Sequence, residues 1–468
     1  MPGKFKIVVS DLHLSAGHVA EGNLLEDFGN DKGFAALLDE IVAESNRDAA
    51  DVELILNGDA FEMLQVPNVD QFDPLEVYPA EQYHSSSEVD SARKMALIIA
   101  GHQPVFEALR RFIQARQPRR TVTFVKGNHD INLHWRAVQD HIRRAMGATG
   151  NHALLLTFEE RSISREGIYV EHGNQYAEFV DRVEDMEEPH DHDKPGQLAI
   201  PLGSWFVMDV FNQVERDKYW IDGVKPITAL LWYALAYDFP FAARAIATLA
   251  RALPGIIEEG VLATEDPQAD LVRQLEDPAQ VEEWAARYEA DEAFRAQFNA
   301  QVAQVLTPPA KVPGADMVPL TTVPDAIAMG AQVQERVRSS LYEAARMRAF
   351  EEGVKLVTFG HSHDAGVEPL PGGGVYINSG TWTWRADFAG AGKETWRDLF
   401  EHPERFTDDR LLSYVRIDYD EGQPTGRLLA YKPGEKPPAP TPISPPPSFW
   451  GQVRDWFRGL WGCILGSS

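Results

Sequence analysis

Five short apolar runs in this chain each end on residues that bind metals or move protons. Lys6 to Val9 leads into Ser-Asp11-Leu-His13, and Val52 to Leu56 into Asn-Gly-Asp59. Thr121 to Val125 leads into Lys-Gly-Asn128-His129-Asp130. Gly167 to Val170 leads into Glu-His172-Gly, and Val354 to Phe359 into Gly-His361-Ser-His363. Runs rich in β-branched residues and bounded by glycine read as buried strands. Strand ends are where α/β sheets place ligand chemistry. A fold for this chain must therefore bring five distant strand ends to one place.

The residue types narrow the chemistry. With His129 set aside, Asp11, His13, Asp59, Asn128, His172, His361 and His363 form a set of four His, two Asp and one Asn. One ion rarely takes so many mixed nitrogen and oxygen ligands, whereas two divalent ions sharing a carboxylate fit them. No ligand is cysteine, so the set is not a structural zinc knot. Manganese leads, with iron or zinc as alternatives, because imidazole and carboxylate suit all three. Two close cations activate a water and neutralise the charge of a phosphoryl group in displacement. His129 is placed to bind the phosphoryl group or protonate the leaving oxygen, and Asp130 to accept its ring N–H.

Taken together, Asp11-x-His13, Gly58-Asp59, Gly127-Asn-His-Asp130, His172-Gly and Gly360-His-x-His363 resemble the calcineurin-like metallophosphoesterase signature. The resemblance covers about residues 4–180 and 350–430. It implies an α/β fold, a calcineurin-like four-layer sandwich, and a hydrolase acting as phosphatase or phosphodiesterase. It also implies one ion on Asp11, His13, Asp59 and His363 and a second on Asp59, Asn128, His172 and His361. Asp59 would bridge them and His129 would be catalytic. More narrowly, Asp11-Leu-His-Leu14, Gly58-Asp-Ala-Phe-Glu62 and Glu171-His-Gly173 are similar to the UDP-2,3-diacylglucosamine pyrophosphatase branch. Two features depart from that branch: His129, where it carries Arg, and a long middle segment.

Charge and cysteine usage bound the partners. The formal charge of −27, from 44 basic and 71 acidic residues, argues against nucleic acid. A phosphorylated or pyrophosphate-containing small molecule would instead be drawn by the bound cations. Cys463 is the sole cysteine, so no internal disulfide forms, and no secretory signal is read at the start. The expectation is a cytoplasmic protein without a transmembrane span, peripheral at the inner face of a membrane.

Further organisation follows from pattern. A helix is expected over residues 34–43, and a long amphipathic helix over 91–116 that Pro104 kinks or divides. Residues 154–160 and 162–172 read as a hairpin. Residues 1–180 and 351–432 form the phosphoesterase core, separated by an all-helical insertion over 181–350 that must leave and rejoin near the site as a lid or substrate wall. Helical patterns fall at 203–219, 227–253, 268–306 and 325–352. Ile227 to Tyr237 is apolar nearly all round, which suits buried core or an acyl-chain groove. Asn174, His134 and Arg136 are candidate substrate contacts. His190 and His192 read as solvated residues of an acidic loop, with cation binding the lesser alternative. Residues 433–448 form a proline-rich linker, and 449–468 an amphipathic helix with aromatic anchors suited to a bilayer surface. With the insertion, this tail points to an amphiphilic, lipid-linked substrate.

Overall fold

In the computed structural model the described residues are 3–114, 117–177, 181–225, 227–257, 267–306, 323–388, 390–407 and 411–432. The linker 433–448 and the helix expected over 449–468 lie outside them. The chain is a mixed α/β protein. Its strands are β1 (Lys4–Val9), β2 (Asp51–Asn57), β3 (Arg120–Val125), β4 (Leu156–Glu159), β5 (Ser162–Arg165), β6 (Ile168–Glu171), β7 (Val224–Lys225), β8 (Leu356–Phe359), β9 (Gly366–Leu370), β10 (Gly374–Asn378), β11 (Ala386–Asp387), β12 (Ser413–Asp420) and β13 (Gln423–Ala430). Six form one sheet in the order β13-β12-β1-β2-β3-β4, and five form a second in the order β5-β6-β8-β10-β9.

Alternation along each strand decides what it packs on. In β1, Phe5, Ile7 and Val9 share a core with helices Asp31–Asp48, Glu88–Gly101, Gln103–Gln114 and Arg136–Met146. The opposite face contributes Val8, with Ile55 of β2 and Val415 and Ile417 of β12. Those side chains meet Ile168 and Val170 of β6, Leu356 of β8 and Val375 and Ile377 of β10, so the two sheets pack face to face. The far side of the second sheet, through Tyr169, Val357, Phe359 and Tyr376, is covered by Leu341, Ala344 and Ala345 of helix Val323–Glu351. Strands buried on both faces read as near-continuous apolar runs, which is why they stand out in the sequence.

Several expectations need correction. Residues 154–172 are not one hairpin: β4 pairs parallel to β3 in the large sheet, while β5 and β6 pair antiparallel in the second. The hairpin turn is Glu166-Gly167, both at positive φ (55° and 78°), which is the two-residue turn that suits twisted strands. The helix over 91–116 is divided, as Pro104 allowed, into Glu88–Gly101 and Gln103–Gln114, and only its bounds change. β9 was not anticipated, because Pro369 breaks its pattern; it is an edge strand, where proline is tolerated. Helix Val323–Glu351, counted with the insertion, is a layer against the second sheet. Conversely Trp384, Phe388, Trp396 and Leu399, counted with the core, pack into the insertion's own cluster. That cluster also buries Leu230, Trp232, Tyr233 and Leu235, so helix Ile227–Tyr237 is core and offers no acyl groove. Among the described residues, no helix is long and apolar enough to cross a membrane.

His102 anchors the loop beyond β1. Its ring lies 3.1 Å from Glu26 Oε2 and 2.9 Å from Asp31 Oδ1, and is almost wholly buried. Glu26 in turn accepts the N–H of Gly17 at 2.6 Å and of Phe28 at 3.1 Å. Burial opposes a charged ring, but Glu26 and Asp31 override it and lift His102 to about 10. A raised folded value means the stabilisation is full below about pH 6.5 and fades as pH rises through about 10. Urea unfolding of the parent chain is expected to lose a few kcal/mol between pH 7 and 10. His102→Gln should show a flatter pH response over that range; equal slopes would refute the assignment.

Candidate metal centre

Topology explains how the strand ends meet. β1, β2 and β3 are adjacent and parallel, so Asp11, His13, Asp59, Asn128 and His129 leave from one end of the large sheet. β6 and β8 are likewise adjacent and parallel, and put His172, His361 and His363 at one end of the second sheet. The sheets face each other, and the two sets touch. His363 Nε2 lies 3.3 Å from Asp11 Oδ1, and His172 Nε2 lies 2.9 Å from Asp59 Oδ2.

The backbone at these positions is strained. Nine described non-glycine residues have positive φ, and five are candidate ligands: Asp11 (53°), His13 (52°), Asp59 (49°), His361 (67°) and His363 (60°). Each such conformation costs about 1–3 kcal/mol and persists only where surroundings enforce it. Here they do. Asp11 N–H donates to the Gly58 carbonyl at 3.1 Å and His13 N–H to the Asp59 carbonyl at 2.9 Å. The Asp11 carboxylate accepts the His361 N–H at 3.0 Å, and the Thr381 hydroxyl donates to the Asp11 carbonyl at 2.8 Å. The glycines are steric necessities: a Cβ at Gly127 would overlap the Asp59 carboxylate, and one at Gly360 would overlap Asp11 and Ser10.

The candidate ligating atoms fall into two groups. Those of Asp11, His13 and His363 lie within 4.8 Å of one another, as do those of Asp59, His172 and His361. Within the first, His13 Nε2 and His363 Nε2 face each other at 3.1 Å, an approach for which two lone pairs need a shared cation or proton. Burial holds His363 down at about 4, despite Asp11 beside it, so its imidazole is neutral. Within the second, His172 Nδ1–H donates to the Asn57 carbonyl at 3.0 Å, which turns Nε2 towards Asp59. Asn128 Oδ1 is buried without a hydrogen-bond partner, whereas His172 Nε2 has only the Asp59 carboxylate, at 2.9 Å. Orphaned donors and acceptors of that kind are costly unless something else binds them. Burial opposes an ionised Asp59, yet His172, His129 and His13 hold it well below the usual carboxylate range. The donor set thus fits divalent cations by residue type, by convergence and by its unfilled bonding capacity.

His129 sits at the edge of this cluster. Its Nδ1 lies 2.6 Å from Glu62 Oε2, and the same oxygen lies 2.7 Å from His13 Nδ1. One buried carboxylate therefore fixes a candidate ligand and the candidate acid together. Burial works against a charged His129, but Glu62 and Asp59 lift it to about 10. Asp130 does not accept the His129 ring N–H. Its carboxylate instead takes the backbone N–H of Gly127 at 2.7 Å and of Ala60 at 2.9 Å, tying the two ligand loops together. Burial with the Asp59 charge raises Asp130 to about 7.

The expected substrate contacts separate. Asn174 is buried beside His172 in sequence, and its amide donates to the Asp181 carbonyl at 3.0 Å. Asp181 itself, which nothing in the sequence marked, reaches within 3.5 Å of His361 Nε2. Arg136 is largely exposed and paired with Asp140 at 3.0 Å, because it opens a helix whose apolar face turns the other way. His134 meets His190 and Glu188 instead of the cluster. Over the signature loop lies the segment from Leu202 to Val214, whose Ser204 hydroxyl is 3.5 Å from the Asn128 carbonyl. The insertion thus touches the loop that carries His129. No protein-family model and no curated protein matches the chain.

Proposed function

We propose that this chain is a metal-dependent hydrolase of phosphoesters or pyrophosphates, built like the calcineurin-like metallophosphoesterases that its motifs resemble. The observation that carries the reading is the pair of adjacent ligand groups, held on strained backbone by contacts between two sheets. The layering of helices, sheet, sheet and helix supports the same kinship. Asp11, His13, Asp59 and His363 would hold one divalent ion, and Asp59, Asn128, His172 and His361 the other. Manganese is favoured, with iron or zinc as alternatives. Such a pair supplies a water acidified to neutral pH and charge to balance phosphoryl oxygens.

The chain's own residues do the rest. Glu62 holds Nδ1 of His129, so Nε2 is left to meet a phosphoryl oxygen or donate a proton to the departing one. A value near 10 keeps that proton in place at neutral pH. Asp130 and the motif glycines fix the loops that aim these groups. The segment 202–214 walls the site. Since helix Ile227–Tyr237 is buried in its own cluster, a lipid-linked substrate draws no support from it.

The test is turnover of an aryl phosphodiester by the purified full chain. Hydrolysis is expected with added Mn²⁺, loss of it on chelation, and return when the ion is restored. A panel of UDP-diacylglucosamine, soluble nucleotides and phosphoproteins then assigns the substrate class. Absence of turnover with Mn²⁺, Fe²⁺ and Zn²⁺ on every one of these would end the proposal.

A further inference from the structure

We infer that His134, Glu188 and His190 form a third cation site, separate from the two-ion centre and of the kind zinc occupies. Their ligating atoms lie within 4.8 Å of one another. The two imidazole rings meet edge to face, with centroids 4.9 Å apart and planes at 87°. His134 Nδ1 is buried and, among the described residues, has no hydrogen-bond partner. Glu160 Oε2 stands 3.7 Å from that nitrogen, too far for a hydrogen bond, and is held instead by the Lys126 ammonium. His190 Nε2 is 3.6 Å from Glu188 Oε2, again outside hydrogen-bond range. The two imidazoles and the Glu188 carboxylate thus converge without satisfying one another. Burial and the nearby Lys126 charge depress the His134 pKa, which keeps its ring in the neutral form that ligates metals. Two imidazoles with one carboxylate suit Zn²⁺, Co²⁺ or Ni²⁺ better than Mg²⁺ or Ca²⁺.

Local structure gives such an ion a purpose. His134 closes the turn Ile131–His134, which follows the signature loop directly. His190 lies on the acidic loop that leads from the second sheet into the insertion, and pairs with Leu198 in a short bridge. Beneath them Val183, Met186 and Leu198 pack on Ile131. An ion at this place would staple the loop over 183–200 to the turn beneath it, and so steady the wall segment that follows. No residue of the site belongs to the two-ion centre, and the inference does not rest on the hydrolase reading.

Equilibrium dialysis of the full chain against Zn²⁺ tests it. The parent chain is expected to bind one more ion than His190→Ala, and His134→Gln is expected to lose the same ion. His190 is on an exposed loop, so its replacement is compatible with folding. As a second readout, Zn²⁺ should slow amide hydrogen exchange over residues 183–200 in the parent chain and leave it unchanged in His190→Ala. Equal stoichiometry in all three chains, or exchange in that loop indifferent to Zn²⁺ in the parent, would overturn the assignment.

Discussion

Asp59→Asn is expected to lower phosphodiester hydrolysis by on the order of 10³-fold and to strip bound Mn²⁺ from the protein. In the proposed reading Asp59 is the carboxylate that the two ions share. One oxygen accepts the His129 N–H at 2.8 Å, and the other lies 2.9 Å from His172 Nε2. It is buried at positive φ, against Gly127, where a Cβ would overlap its carboxylate. Asparagine keeps the shape and one acceptor. It removes the negative charge that faces several imidazoles and that a shared cation pair would need. The fold should survive, since the change is nearly isosteric. Metal content measured beside activity separates the possibilities: a variant that keeps both ions and full turnover would refute the bridging role.

Much of this centre was legible before any coordinates, for a physical reason. Strands buried on both faces leave long apolar runs, and polar residues at their ends then stand out. The motif glycines are equally visible, because the Asp59 and Asp11 carboxylates occupy the space a side chain would fill. What the sequence did not show are relations made by packing. Glu62 reads as the end of a short motif, yet it links two histidines from different strand ends. Asp130 looked like a partner for its neighbour His129, but two loops claim its oxygens. Arg136 followed the signature closely in sequence and still points away, because a helix begins there. Helix Val323–Glu351 could not be told from the insertion by periodicity, since covering a sheet and covering other helices need the same kind of stripe. The crossing from β4 to β5 was hidden for a similar reason: strand patterns reveal faces, not which sheet receives them.

His129→Ala is expected to lower turnover by about 10²–10⁴-fold while leaving the metal content unchanged. The contrast with Asp59→Asn is the point of the experiment. In the reading proposed here His129 ligates nothing; Glu62 holds its Nδ1, and Nε2 is the nitrogen left for the substrate. Its removal should therefore act on turnover alone. The loss should be smaller for aryl esters with acidic leaving groups, which need little protonation, than for alkyl esters, which need more. Glu62→Gln should combine both defects, because Glu62 also orients His13 in the first ligand group. If His129→Ala instead lost an ion, or hydrolysed alkyl and aryl esters with the same relative deficit, His129 would be a ligand or a structural residue. The Glu62 carboxylate would then be holding two ligands in place.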